Sequence, residues 1–356
     1  MSRTRRAAAW IVVCIALGAG CGGDTTTTEP ACRAESGPAL DPALDHLVVI
    51  GSLSEDWTAV TTRNGLHRVG SGLVGRAPND VDHIAGLLYV LNSLDNSVQI
   101  LDPATGATVG CIALGAGASP WELRADPDRD DRAYVTTFLS GEVLELDLAA
   151  RRVLRRVMVG AGLEGLLVTK TRIVATLTGF AGSEGVFGQG QVIVLDKGTL
   201  NEVGRLPVPM NPQYLLRAPD GTIHAICTGN FGNPPPAVYG AVVRLEPDLT
   251  AVRDTLQLGG SPFRAEADTN GTVLVAAFYG GLMAYDATGF RVLHDADSPI
   301  EASPGYAAVT VVGDRAYAVN FDLDALVVID VGTLAVVGDL LVGDGPAALV
   351  FVPGRP

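Results

Sequence analysis

Lysine is nearly missing from this sequence: Lys170 and Lys197 are the only two, and arginine supplies the rest of 25 basic residues against 39 acids. Nucleic acid as a partner is excluded on that ground, because it needs clustered cations to displace counterions. Arg151, Arg152, Arg155 and Arg156 form the one dense basic stretch, and they alternate with apolar residues as the solvated edge of an outer strand does. The five histidines, His46, His67, His83, His224 and His294, are scattered without ligand spacing, which speaks against zinc or copper. Asp126-Pro-Asp128-Arg-Asp130-Asp131 has neither the turn glycine nor the distal glutamate of a calcium loop. No Gly-x-Ser-x-Gly, phosphate loop or dinucleotide fingerprint occurs. Neither a metal nor a cofactor is therefore expected, and no catalytic constellation stands out.

What is present describes a packed, turn-rich globule. Hydrophobic residues at 47% with 18% charged are too apolar for a disordered chain, while 43 glycines and 21 prolines are too many for a helical bundle.

The amino terminus has the order of an export signal. Arg3, Arg5 and Arg6 precede an apolar run from Ala7 to Leu17, too short to span a bilayer, and Gly18, Ala19 and Gly20 lead to Cys21. The segment resembles a bacterial lipoprotein signal, which implies that residues 1–20 are removed and Cys21 carries lipid. Simple secretion, with Cys21 free or removed, is the alternative. Removing residues 1–20, which hold three arginines and no acid, takes the formal charge from −14 to −17. Residues 21–45, with four consecutive threonines and Pro30, Pro38 and Pro42, are expected to form a flexible tether. A monomer at the bacterial cell envelope follows, facing the periplasm or the exterior and touching the membrane through its lipid only. Of the remaining cysteines, Cys227 lies in an apolar strand pattern, and Cys32 and Cys111 are a possible disulfide pair in an oxidising compartment.

An apolar stretch ending in an acid recurs along the chain: Val98 to Asp102, Val143 to Asp147, Val192 to Asp196, Val242 to Glu246, Leu282 to Asp286 and Leu326 to Asp330, after a degenerate first copy from Trp57 to Thr61. Successive ends lie 40 to 50 residues apart, the blade period of a four-stranded propeller. A Gly/Pro turn follows most copies, at Pro78, Pro120, Pro212, Pro262, Pro304 and Pro346. The predicted fold is all-β, a seven-bladed β-propeller over residues 46–356. The first copy has no innermost strand ahead of it, and Ala347 to Val352 has no later partners. The C-terminal strand is therefore expected to pair into the first blade and seal the ring.

Tyr89-Val90-Leu91-Asn92, Tyr134-Val135-Thr136-Thr137 and Tyr317-Ala318-Val319-Asn320, each followed by a Val-x-x-x-Asp-like strand, resemble YVTN-type β-propeller repeats. The resemblance implies the fold strongly and the function weakly, because that family holds surface and periplasmic binding proteins while its relatives include lactonase-like enzymes.

Two long loops, Thr178 to Gly190 and Thr228 to Tyr239, belong to adjacent blades and are expected to form one ridge on the face termed top. Phe138, Phe180, Phe231, Phe278 and Phe321 end the second strand of five blades, and Trp121, Tyr214, Phe263 and Tyr306 follow the Gly/Pro turns at the axial mouth. Such rings either plug gaps between blades or line a basin, with Trp121 and Tyr306 the foremost contacts because rings of that size resist full burial. Asn79, Asp80, Glu122, Asn211, Gln213, Arg264 and Glu266 are the polar candidates, and alternation puts Arg264 and Glu266 on one side of a strand, placed to pair. The leading functional expectation is a non-catalytic binding or assembly module for an envelope protein, peptide or glycan. The alternative is a lactonase-like hydrolase using Glu122, Arg264 and Glu266 at the axial mouth.

Overall fold

The computed structural model describes residues 32–355 except 64, 183–185 and 233–235. Residues 1–20 and Cys21 lie outside the described residues. Twenty-eight strands, β1 to β28 in chain order, form seven four-stranded antiparallel sheets, and no helix occurs among the described residues. Six sheets are four consecutive strands each. Their first strands are β4 (Pro78–Ile84), β8 (Pro120–Asp126), β12 (Leu163–Val168), β16 (Pro212–Arg217), β20 (Pro262–Ala267) and β24 (Tyr306–Val312). Each packs against the next, and β28 (Pro346–Val352) packs against both β24 and β4, so these seven strands close a ring around a central axis.

The remaining blade is the expected seal. Its strands run in the order β28, β1 (His46–Gly51), β2 (Asp56–Thr61), β3 (His67–Leu73). His46 lies opposite Val352 and Ile50 opposite Ala348, so the two ends of the chain share one antiparallel ladder.

Burial explains the strand sequences. All six residues of β1 are buried, because a middle strand is covered on both faces by neighbouring blades. A continuous apolar run such as Leu47 to Ile50 is what that position demands. The outermost strand of the third blade, β11 (Arg152–Met158), alternates between exposed and half-buried residues. Its arginines are solvated there: Arg156 meets Glu142 at 3.4 Å, and Arg155 pairs with Glu145 while donating to Gly198 O of the next blade at 2.6 Å.

Residues 32–45 are a packed strap and not a tether. Cys32 is disulfide-bonded to Cys111, with Cα atoms 5.8 Å apart. Gly37 N donates to Gly106 O at 2.7 Å and Leu40 N to Pro103 O at 2.8 Å. Leu40 is buried among Val48, Ile50, Val81 and Leu101 of blades 1 and 2. A Cβ on Gly37 would lie 2.5 Å from the Trp57 ring, so only glycine lets the strap lie this close. One apolar anchor and one covalent tie outweigh the polar composition that suggested freedom. Cys227 is buried as expected, and burial pushes its thiol up.

Candidate functional site

Every innermost strand opens with the same irregularity. Its first residue pairs with the neighbouring strand, one extra residue follows, and pairing then resumes: Pro78 pairs with Asn92 and Asp80 with Leu91, Pro120 with Thr137 and Glu122 with Thr136, Pro212 with Cys227 and Tyr214 with Ile226. The other blades show the same one-residue excess. A bulge of this kind re-aims the side chains beside it. The residues that follow it are Asp80, Glu122, Gly165, Tyr214, Arg264, Ala308 and Ala348 in blades 2 to 7 and 1. The prolines that marked the repeat in the sequence are thus the residues on which these bulges begin, in all but blades 4 and 7.

Four of these positions build an ionic brace. Arg264 of blade 6 meets Asp80 of blade 2 at 3.1 Å and donates to Asn79 O at 3.0 Å, although blades 7 and 1 lie between them around the ring. Asp80 also accepts from Leu123 N at 2.9 Å and pairs with Arg124 of blade 3 at 3.3 Å. Arg124 pairs in addition with Glu122 and reaches the Tyr214 hydroxyl of blade 5 at 3.4 Å, its guanidinium 5.7 Å from that ring's centroid. Glu122 accepts from Leu166 N of blade 4 at 2.7 Å. Gly165 keeps this approach open, because a Cβ there would lie 2.8 Å from Thr176 Oγ1 and 3.1 Å from Tyr214 Cα. Gln213 bonds Glu164 and accepts from Thr228 Oγ1 at 2.7 Å.

Burial pushes the Glu122 carboxyl up to about 7, against the pull of Arg124 and with a further push from Asp80. Burial raises Glu164 well above the carboxylate range, and its Oε2 has no hydrogen-bond partner. Arg124 and Arg264 thus lie among Asp80, Asp82, Glu122 and Glu164, and the two guanidiniums oppose the effect of burial on the last three. Glu122 and Arg264 are sealed, at 1% and 7% exposed, while Arg124 and Tyr214 are half-buried at one side of the group. Buried ion pairs of this kind fix geometry more than they add stability.

Several expectations need correction here. Arg264 and Glu266 do not pair with each other: Arg264 turns to Asp80, and Glu266 bonds the Thr310 hydroxyl and Val311 N of blade 7. Arg264 lies inside the bulge between Pro262 and Ala265, whereas Glu266 sits in the regular ladder opposite Leu274, so the two point at different neighbours. Trp121 and Tyr306 are 4% and 1% exposed and line no basin. Trp121 packs on Phe138 with centroids 5.6 Å apart, and Tyr306 donates at 2.6 Å to Glu301, which bridges to Leu282 of blade 6. Tyr214 is half-buried beneath Arg124 and burial pushes its hydroxyl up to about 12. Asp126 and Asp128 hold Lys197 at 2.8 and 3.2 Å, and no group of three metal-ligating side chains occurs among the described residues. Sequence reasoning passed over Arg124 and Glu164. Arg124 stands two residues beyond Glu122, the same spacing that drew attention to Arg264 and Glu266.

The top face is different in kind. Trp121, Phe138, Phe180, Phe187, Phe231, Phe278 and Phe263 form a continuous file of rings, each 4.7 to 6.2 Å from the next, running over blades 3 to 6. The contact of Phe187 with Phe231 joins the two long loops at 6.2 Å, as the ridge requires. Phe180 and Phe231 are half-buried, and Leu53, Val186, Tyr239 and Leu323 are exposed on the same face at 46, 39, 66 and 42%.

No family model matches the chain, and no curated protein matches it. Solved structures share its fold. A functionally unknown protein from Desulfotomaculum acetoxidans superposes with a TM-score of 0.66 at 11% identity, over 86% of this chain and 98% of that one. Dihydro-heme d1 dehydrogenase NirN in complex with DHE gives 0.60 at 16%, over 93% and 83%. Apo AztD from Citrobacter koseri gives 0.54 at 13%, over 90% of both chains. Identities this low carry the architecture alone, so the class is that of a seven-bladed β-propeller with a braced axis. Neighbours of such different description underline that function resides in sites and not in the fold.

Proposed function

We propose that this protein is an extracytoplasmic binding module, anchored by a lipid at Cys21, whose top face receives an apolar segment of another envelope protein or peptide. The observation that carries the reading is the file of rings joining the two long loops, with Val186 and Tyr239 exposed above it. Phe180 and Phe231, half-buried and held by the five buried rings of the file, give a partner a rigid apolar edge at little conformational cost. Aliphatic side chains at Leu53, Val186 and Leu323 suit a polypeptide better than a glycan. The Cys32 to Cys111 bridge supports export, since such bonds persist in oxidising compartments. The hydrolytic alternative receives less support, because Glu122 and Arg264 are sealed and already engaged.

Affinity capture from the native envelope after mild crosslinking tests the proposal. Val186→Glu with Tyr239→Glu is expected to abolish recovery of a stoichiometric partner. Val203→Glu with Val337→Glu, placed on outer strands at 55 and 56% exposure, is expected to leave it intact. Equal recovery in both variants would overturn the assignment to the top face.

A further inference from the structure

The opposite face, where the turns between the first and second strands of the blades lie, carries a second feature. At the seam between blades 1 and 2 the strap roofs a cavity of about 100 Å³. One water needs only ~10–15 Å³ of such space, so a molecule of several heavy atoms fits. Three parts of the chain far apart in sequence build it: the strap, the C-terminal residues after β28, and the turns of blade 2 beside Gly86 and Asp102.

His46 opens β1 and is 2% exposed, yet its ring lines this cavity without a hydrogen-bond partner among the described residues. Its ring nitrogens are open to the cavity, so an N–H there is available to a ligand that accepts it. His83 lines the same space, and burial together with the charge of Arg355 holds its pKa below the usual histidine value. Arg355 is positioned by its own N–H, which donates to Pro42 O at 2.6 Å, and its guanidinium lies over Gly86, 3.1 Å from where a Cβ would be. That guanidinium has no acidic partner among the described residues. The two carboxylates in the lining are occupied locally: Asp102 accepts from Ala104 N at 2.9 Å and Thr105 Oγ1 at 3.0 Å, and Asp41 from Ala43 N at 2.9 Å. The rest of the wall is apolar, with Leu40, Leu44 and Val352.

We propose that this seam cavity binds a short-chain monocarboxylate, its carboxylate held by Arg355, His46 and His83 and its tail laid against Leu40, Leu44 and Val352. A guanidinium and imidazole N–H groups are the donors a carboxylate needs. The apolar wall favours a short alkyl tail over a doubly charged oxyanion, which would also face Asp41 and Asp102.

Sodium butyrate added to the full chain, with the imidazole proton resonances followed by NMR, tests this. The resonances of His46 and His83 are expected to shift with one common saturation curve, while exposed His67 on β3 does not follow it. Arg355→Ala, on an exposed side chain whose loss leaves the fold intact, is expected to weaken the apparent affinity by about tenfold or more. Shifts that grow linearly and equally at all three histidines would overturn the proposal. So would an unchanged curve in Arg355→Ala, saturation by ethylammonium in place of butyrate, or saturation by inorganic phosphate with butyrate silent.

Discussion

The axis of this propeller is built in two ways. Around blades 2 to 6 it is lined by Asp80, Glu122, Arg124, Glu164, Gln213, Tyr214 and Arg264, and hydrogen bonds or ion pairs cross from blade to blade. At blades 7 and 1 the equivalent positions hold Ala308 and Ala348, both buried in apolar clusters. The apolar sector is where the two ends of the chain meet in one ladder, so backbone bonds already fix its geometry. That ladder lies within blade 1, whereas in the polar sector side-chain bonds that cross from blade to blade add to the registration. The small residues also leave the chord from blade 6 to blade 2 open, and Arg264 uses it.

The largest effect expected tests the apolar sector. Deleting residues 345–356 removes all of β28, and with it a six-residue ladder and the buried Ala347, Ala348 and Val352. Circular dichroism is expected to show no cooperative melting of the truncated chain. A truncated protein that melts within a few degrees of the intact one would mean that the polar brace alone holds the ring closed.

Breaking the brace comes next. Arg264→Met leaves Asp80 with one cation fewer in a sealed site, and loss of one partner from a buried pair costs about 3–5 kcal/mol. Chemical denaturation is expected to show that loss, with Asp80→Asn added to Arg264→Met recovering part of it. If Arg264→Met is neutral, the cross-axis bond does not hold the ring, and the two sectors do not differ in the way their side chains suggest.

The sequence made the ring legible and the brace nearly invisible, for a physical reason. Blade period, strand pattern and terminal closure depend on local alternation and on the order of segments, which a single chain displays. The axial partners depend on which residue follows a bulge, and a bulge is visible only in the pairing register. Glu122, Gln213, Tyr214 and Arg264 were found because they follow the Pro turns, whereas Arg124 lies deeper along the strand and Glu164 follows no proline. Trp121 and Tyr306 misled because ring size was weighed without their partners Phe138 and Glu301. The strap misled similarly: the polar residues and prolines around it concealed one well-placed Leu40 in residues 32–45.

Smaller again is the effect of the strap on the seam. Cys32→Ser opens the bridge to Cys111 and is expected to lower stability by roughly 2–4 kcal/mol, as the removal of native disulfides does. Limited proteolysis is expected to cut between residues 32 and 45 in this variant while the blades stay protected. Cleavage within blade 2 at the same rate would make the strap part of the closure and would enlarge the apolar sector.

The finest distinction is one of proton linkage. Glu122 has a folded pKa of about 7 against an ordinary 4.5, so the folded chain binds more protons in that window and this residue's contribution falls as pH rises through it. Glu164, raised further by burial, acts in the same direction. His224 has the opposite sign. Buried in the core between blades 5 and 6, with Nδ1 2.8 Å from the Tyr285 hydroxyl, it is lowered to about 4 from 6.5, and its contribution is lost as pH falls between those values. The stability of Glu122→Gln relative to the parent is therefore expected to rise from pH 4.5 to 7, by at most about 1.4 kcal/mol per pH unit. That of His224→Asn is expected to rise from pH 6.5 down to 4. Denaturation at several pH values distinguishes them. Ala348→Ser introduces no titratable group and is expected to run parallel to the parent throughout. If Glu122→Gln also ran parallel, Glu122 would be ionised throughout that range, held so by Arg124 and Arg264 against its burial.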